Sequence, residues 1–260
     1  MKPMRALALA TSLSLVSAAQ AETTLLTDVV IVNLETEALF GPTSVLIRDG
    51  IIAEIGTTIP QAGATILDGG GGFLIPGLWD SHVHIFSSRT EPDTALPLYL
   101  INGVTGIRDM GALWPIAEQL ALQARLETGD TLGPRLVLSG GWVDASPGSW
   151  PGMFLADTPD DARGVVARIA AEGWAAVKAY SMLDEPTYLA LADAADAAGL
   201  PLVGHVPERV ALGTALAAGQ DGMEHFGRIT MACATAEREM LADLRDVMVT
   251  GADRDAIFTV

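Results

Sequence analysis

Apolar and polar positions follow two different patterns along the chain. From residue 24 to about residue 72, short runs of β-branched and other apolar residues alternate with polar residues and are broken by turn signals, a pattern typical of half-buried strands. The dipeptide Asp49-Gly50 interrupts one run and predicts a two-residue hairpin turn. This first region therefore predicts a small β module.

From residue 73 the pattern changes to short, continuously apolar runs that alternate with helical stretches. Helix signals stand between these runs, such as Gly129 at the end of one stretch and Thr158, Pro159 and Asp161 at the start of another. Buried parallel strands covered by helices are typical of α/β folds and of (β/α)8 TIM-type barrels. The strands that we predict are 73–84, 103–109, 134–139, 175–180, 201–206 and 222–226.

Composition excludes some functions. The chain has 260 residues, of which 50% are hydrophobic and 18% charged, so it can bury a large core and is not disordered. Its formal net charge is −17, which repels phosphate backbones and anionic lipid surfaces. We therefore expect no nucleic-acid partner.

The first 21 residues have the three-part layout of a secretory signal peptide. Lys2 and Arg5 precede a short apolar stretch over 6–16, and small residues end at Ala21. This apolar stretch is too short to span a bilayer. We predict cleavage after Ala21, a periplasmic or secreted protein, and no membrane span.

The chain contains four histidines, and all of them fall at the carboxyl ends of predicted strands. Catalytic residues of (β/α) barrels gather at that end. A lone histidine is more often structural than a ligand, but two histidines separated by one residue on a strand point to the same face and can share a metal ion. The four histidines are therefore candidate metal ligands: His82, His84, His205 and His225.

One basic residue stands apart from the others. After Lys2, the only lysine of the chain is Lys178, at the end of the fourth predicted strand, while every other basic position is arginine. Either the gene simply favours arginine, or this position requires an amine. The residues alone leave both interpretations open.

The run "FLIPGLWDSHVH", followed on later strands by Lys178, His205 and His225, resembles the metal-dependent amidohydrolase superfamily, and within it the imidazolonepropionase-like and prolidase-like secreted members. The resemblance extends from about residue 24 to residue 226 and includes "VLIRDGIIAEIG", "GVTGIRDMG" and "AGLPLVGHVP". It implies a (β/α)8 barrel together with a small β-sandwich domain built from segments on both sides of the barrel.

The resemblance also implies a binuclear centre with two divalent metal ions, of which zinc is the leading candidate. His82 and His84 would hold one ion, His205 and His225 the other, and a CO2-derived carbamate on Lys178 would bridge them. Only a primary amine can take up CO2 in this way, which favours a functional lysine. The implied catalytic residues are Lys178, His205 and His225.

The implied reaction is hydrolysis of an amide or peptide C–N bond in a small molecule or short peptide. We expect substrate contacts from Arg108, Trp142 and Tyr180 and from the loop that carries Trp150; alternatively, the tryptophans are packing residues and Arg108 pairs with Asp109. Cyclic-amide, lactone and phosphotriester hydrolysis are alternative activities. Self-association into a homo-oligomer is left open.

One departure from the superfamily pattern concerns the end of the barrel. Members carry an aspartate after an eighth strand, whereas we predict about six βα units here, and Asp253 and Asp255 lie in a charged segment that makes them poor candidates. The expectation is a C-terminally truncated hydrolase or, alternatively, a metal-binding remnant without activity. The predicted organisation is a signal peptide over 1–21, a β-sandwich segment over 22–72 and a partial barrel over 73–260.

Overall fold

A computed structural model describes residues 23–111, 113–237 and 239–243. The predicted leader, Asp253 and Asp255 lie outside the described residues. The chain divides into two compact units between Pro76 and Gly77, a few residues beyond the boundary drawn from the sequence. Among the described residues, no helix is both long and apolar enough to cross a bilayer.

The first unit is a four-stranded sheet in the order β3-β2-β1-β4. Strand β1 pairs antiparallel with β2 and parallel with β4. The predicted hairpin at Asp49-Gly50 is confirmed: both residues have positive φ, of 50° and 76°, as a tight hairpin turn requires. The strands are β1 (Thr23–Asn33), β2 (Ala38–Arg48), β3 (Ile51–Gly56) and β4 (Thr65–Leu74).

The second unit is an α/β fold in which every strand pairing is parallel. Its strands form two sheets, in the orders β5-β6-β7 and β11-β10-β8-β9. The amide of Ala175 donates to the carbonyl of Leu138 at 3.1 Å and so links the chain before β10 to β7. The strands are β5 (Leu78–Val83), β6 (Val104–Asp109), β7 (Arg135–Leu138), β8 (Trp142–Asp144), β9 (Phe154–Leu155), β10 (Val177–Ala179) and β11 (Leu202–Gly204).

Helices lie between these strands, and the predicted caps are present. Thr158 and Asp161 form a reciprocal capping box, Gly129 ends its helix in the left-handed conformation, and the Asp184 side chain accepts from the amide of Thr187. Buried aliphatic residues of the strands and helices form one core. The helices are α1 (Glu91–Ile101), α2 (Ile116–Thr128), α3 (Pro159–Glu172), α4 (Glu185–Ala197), α5 (Leu212–Ala217) and α6 (Gly227–Ala232).

Two predicted strands need correction, and two short strands were not predicted. The run 73–84 is divided between β4 and β5, because Pro76 supplies no amide proton. The unpredicted strands are β8 and β9, which lie within 140–155. The segment 222–226 is not a strand: Gly222 and Glu224 donate to the carbonyls of Leu202 and Gly204, but the backbone turns left-handed at His225. This segment therefore hydrogen bonds along β11 but does not extend the sheet as a further strand.

Candidate functional site

The structure brings the four candidate histidines together. The ring centroid of His82 lies 5.1 Å from that of His84 and 4.6 Å from that of His225, and the rings of His205 and His225 are 5.2 Å apart. Lys178 lines the same cavity as His84, His205 and His225. The five predicted ligand residues, from four separate stretches of sequence, therefore share one site.

Strand register places Lys178 at the centre of this site. It lies in β10, opposite Trp142 of β8 and Val203 of β11. The amide of His205 continues the β11 ladder by donating to the carbonyl of Ala179 at 3.0 Å. Three neighbouring parallel strands thus bring Trp142, Lys178 and His205 to one site, with Trp142 at the start of β8, Lys178 within β10 and His205 directly after β11.

His225 reaches the site through an unusual backbone conformation. Its φ is 66°, in the left-handed region that side chains other than glycine rarely adopt. Phe226 follows with a φ of 53° and is exposed to solvent. Left-handed backbone at a residue with a Cβ costs on the order of 1–2 kcal/mol and is concentrated at functional sites. Here the left-handed backbone ends the segment that hydrogen bonds along β11, and it does so at His225, whose ring contacts that of His82.

Hydrogen bonds fix the orientation of His82 and His84. His82 Nδ1 donates to Glu224 Oε2 at 2.7 Å, because a carboxylate can only accept, and His84 Nδ1 donates to the carbonyl of Gly111 at 3.1 Å. Burial lowers the pKa of both histidines below the ordinary value, although the bond to Glu224 opposes the shift at His82. Both rings are therefore neutral at pH 7, and each Nε2 carries an unshared lone pair.

The geometry of these two lone pairs fits a shared cation. His82 Nε2 and His84 Nε2 are 3.2 Å apart, yet with protons on both Nδ1 atoms neither Nε2 can donate to the other. Two imidazole nitrogens that bind one tetrahedral zinc, at about 2.0–2.1 Å each, lie roughly 3.3 Å apart. No three His, Cys, Asp or Glu side chains of the described residues already surround a single point as a formed metal site, so the fit rests on this pair and its neighbours.

Glu224 was not predicted, and it joins several parts of the site. Its second oxygen, Oε1, accepts from Arg108 Nη2 at 2.7 Å, and Arg108 Nε donates to the carbonyl of Ser81 at 2.7 Å. Arg108 therefore does not pair with Asp109, since neighbouring residues of a strand point to opposite faces. Its contacts favour a positioning role over the predicted contact with substrate. We refer to His82, His84, Arg108 and Glu224 as the polar side.

The opposite wall of the site is aromatic. The rings of Trp142 and Tyr180 stack at 5.9 Å with an interplanar angle of 16°, and Tyr180 stacks on His205 at 4.2 Å. Trp150 lies edge-on to Trp142 at 6.3 Å, and its Nε1 donates to the Tyr180 hydroxyl at 2.8 Å. We refer to Trp142, Trp150 and Tyr180, together with Lys178 and His205, as the aromatic side.

Burial controls the charges on the aromatic side. Lys178 is only 1% exposed, and burial lowers its pKa from 10.5 to about 8. Its ammonium lies 5.6 Å from the Trp142 ring centroid and 5.8 Å from that of Tyr180. Burial also lowers the pKa of His205 to about 3, and Ser181 Oγ is hydrogen bonded to its Nδ1 at 2.9 Å. His205 is thus neutral, with Nε2 left for the site.

Two buried aspartates, which the sequence did not single out, hold the loops around the site. Asp109 accepts from the amides of Ile85 and Gly111, and burial raises its pKa to about 7. Asp144 is fully buried and accepts from the amide of Met182 and from Ser149. Each carboxylate ties one strand end to the next, which fixes the loops that carry the functional side chains.

No protein-family model matches the chain. A dihydroorotase from Pelotomaculum thermopropionicum is 35% identical over 82 residues, which are 30% of this chain and 19% of that protein. The chain thus spans about a fifth of the length of this curated relative.

Solved structures match over more of the chain. A candidate prolidase from Bifidobacterium longum has a TM-score of 0.67 and 23% identity, covering 89% of this chain and 70% of that one. A bottromycin amidohydrolase has a TM-score of 0.63 and 26% identity, covering 87% of this chain and 49% of that one. The resemblance to amidohydrolases is confirmed, and the second unit is a TIM-barrel-type domain.

Proposed function

We propose that this protein is a metal-dependent hydrolase of amide or peptide C–N bonds in small molecules. The observation that carries the proposal is the convergence of His82, His84, His205 and His225 with the buried Lys178 at the carboxyl ends of parallel strands. The cavity that Lys178 and three of these histidines, His84, His205 and His225, line measures about 330 Å³, near the lower limit of roughly 300 Å³ for ligand pockets, which favours a small substrate.

The donor set suits two divalent ions such as zinc. His82 and His84 would hold one ion through their Nε2 atoms, and His205 and His225 would hold the other. The partners of the Nδ1 atoms on His82, His84 and His205 keep each ring in the orientation that such ligation needs. When bound, the ions supply Lewis acidity that polarises a carbonyl oxygen and makes water nucleophilic near neutral pH.

Lys178 would bridge the two ions as a carbamate. Its lowered pKa, near 8, leaves a substantial fraction of neutral amine at neutral pH. The neutral amine would attack CO2 with formation of a C–N bond and release of one proton from the nitrogen, so that a neutral side chain becomes an anionic carbamate; starting from the ammonium form, two protons leave in all. The apolar strand around Lys178 favours this loss of the ammonium form.

The side chains on either side of the ions divide the remaining tasks. Glu224 and Arg108 hold His82 in place, and the aromatic side excludes water from one face of the substrate. Tyr180 and Trp142 line the cavity and would contact the bound substrate.

The proposal extends to architecture and location. Residues 22–72 would contribute one piece of a small β-sandwich domain, and the leader over 1–21 would direct export. The candidate prolidase and the bottromycin amidohydrolase support amide hydrolysis as the reaction, while cyclic amides, lactones and phosphotriesters are the alternative substrates.

The test combines metal analysis with a substrate screen. We expect two zinc equivalents in the wild-type chain and one or fewer in Lys178→Ala, with hydrolysis reduced on the order of 10³-fold. Lys178→Arg is the matched control, because it keeps the positive charge but cannot form a carbamate, and it should fail equally. Two metal ions in both wild type and variant, or none in either, would contradict the bridge. The screen should cover dipeptides, N-acyl amino acids, cyclic amides, lactones and phosphotriesters.

A further inference from the structure

The cavity beside the histidines has a mainly aromatic and apolar wall. Its described lining combines three aromatic residues, Trp142, Trp150 and Tyr180, with Leu113, and no described lining residue is a carboxylate. An ionised group would have to leave water for this apolar wall, and the described lining offers a cation no carboxylate partner. The wall therefore favours an uncharged occupant.

The rear of the wall is rigid. Trp142 is only 8% exposed, and its Nε1 donates to the carbonyl of Met110. Gly111, with a φ of 140°, lies directly against the indole, where an added Cβ would fall 0.8 Å from Trp142 Nε1. The site therefore requires glycine at this position to seat the indole. Trp142 and the Tyr180 ring stacked on it form a fixed, flat surface.

The front of the wall is supplied by Trp150, which is 53% exposed. Its loop is fastened at the base, where Asp144 accepts from both the amide and the hydroxyl of Ser149. The ring itself is fastened by the 2.8 Å bond from its Nε1 to the Tyr180 hydroxyl. Trp150 therefore presents a pre-positioned face at the mouth of the cavity instead of a free side chain on a loop.

We propose that this wall selects substrates that carry a flat, uncharged ring, and that Trp150 is the specificity-determining residue. The inference deepens the proposed function by naming the substrate class of the same site. Aromatic rings gain offset-stacked and edge-to-face contacts that a saturated ring of similar area lacks. The discrimination thus lies in the planarity and π-face of the ligand as well as in its apolar area.

The test measures binding, so it does not require hydrolysis. N-acetyl-L-phenylalaninamide and its cyclohexylalanine analogue differ in the planarity of the ring, and the glycine, aspartate and lysine amides serve as small and charged references. Calorimetry on the purified full chain should show about fivefold tighter binding of the phenyl compound than of the cyclohexyl compound. The charged amides should bind more weakly than either.

Two variants locate the preference. Trp150→Ala should reduce it to about one, whereas Trp150→Phe, which keeps an aromatic face, should retain most of it. Phe73→Ala, an exposed aromatic of the first unit, is the matched control and should change nothing. Because Trp150 is half-exposed, its replacement leaves the buried core intact.

The outcomes separate this inference from the proposed function. Equal affinity for the two ring compounds, absence of binding by either, or an undiminished preference in Trp150→Ala would overturn the inference even if amides are hydrolysed. A phenyl preference that depends on Trp150, in a chain that hydrolyses none of the screened substrates, would support the inference and count against the proposed hydrolase.

Discussion

The polar side and the aromatic side of the site each hold histidines, but they hold them in different ways. His82, on the polar side, is fixed by a carboxylate, and the bond to Glu224 opposes the effect of burial on its pKa. His205, on the aromatic side, has no carboxylate partner among the described residues, and burial, reinforced by the charges of Lys178 and the neighbouring histidines, lowers its pKa to about 3. A charged carboxylate therefore orients the histidine on the polar side, whereas an uncharged hydroxyl and buried aromatic rings hold the histidine on the aromatic side. Different perturbations should therefore damage the two sides.

The largest difference between the two sides should be a pH dependence of the free energy of unfolding that comes from Lys178, on the aromatic side. In metal-free protein, the folded pKa of Lys178 is about 8, below its ordinary value of 10.5. Between these values the unfolded chain holds a proton that the folded chain lacks, so the free energy of unfolding rises with pH. Below pH 8 the folded protein carries the full penalty of burying the ammonium. Relief of this penalty should raise the free energy of unfolding by ~3 kcal/mol between pH 8 and pH 10.5.

Lys178→Met removes this titration while keeping the apolar stem. Urea unfolding in CO2-free buffer with a chelator should show that the free energy of unfolding of wild type rises from pH 8 to 10.5 relative to that of the variant. Parallel curves for the two proteins would mean that burial does not govern Lys178.

On the polar side, loss of one hydrogen-bond acceptor should weaken metal binding. Glu224→Met removes the acceptor of His82 Nδ1 and the partner of Arg108, and the loss of a hydrogen bond that orients a metal-binding histidine reduces metal affinity about 10–100-fold. Glu224→Gln keeps an acceptor oxygen and should retain more of the affinity. Competition with a zinc chelator measures both constants.

A spectroscopic readout separates positioning from general destabilisation. Long-range ¹H–¹⁵N correlation spectra of the metal-free protein should show His82 protonated on Nδ1 in wild type and in Glu224→Gln, and as a mixture of tautomers in Glu224→Met. An unchanged tautomer in the methionine variant would remove the role assigned to Glu224.

The smallest effect should come from the contact that completes the aromatic side. Tyr180→Phe keeps the stacked ring but removes the hydroxyl that accepts from Trp150 Nε1, a bond whose net worth is about 1 kcal/mol. The preference for a phenyl over a cyclohexyl ligand should fall about twofold to threefold. If the preference disappears completely, Tyr180 binds the ligand itself instead of holding Trp150.

Local patterns were sufficient to predict the framework. Apolar runs located β6, β7, β10 and β11 within a few residues, and capping residues located the helices α2, α3 and α4. The histidines and Lys178 were identifiable because each follows or ends such a run. The convergence of His82, His84, Lys178 and His205 needed only the rule that parallel strands present their carboxyl ends at one edge. His225 arrives from a segment that is not a strand, by way of a left-handed backbone.

The remaining features depend on contacts that local patterns do not carry. Glu224 is one of 32 acidic residues in the sequence, and no local pattern distinguishes it, because its partners His82 and Arg108 lie 142 and 116 residues away. The strands β8 and β9 have three and two residues, too few for periodicity in a loop rich in glycine and proline. The alternative considered for Arg108, an ion pair with Asp109, is not what the structure has: Arg108 pairs with Glu224, because neighbouring residues of a strand point to opposite faces.

The bond between Glu224 and His82 also bears on how fast the site forms during folding. It closes a loop of 142 residues, so it can form only after the strands between its two ends have found their places, and contacts of such long separation form slowly. The two ends of the bond belong to β5, the first strand of the barrel unit, and to the segment beside β11. Any ligand that requires an oriented His82 therefore recognises only chains in which this closure is complete, and by mass action it holds them closed.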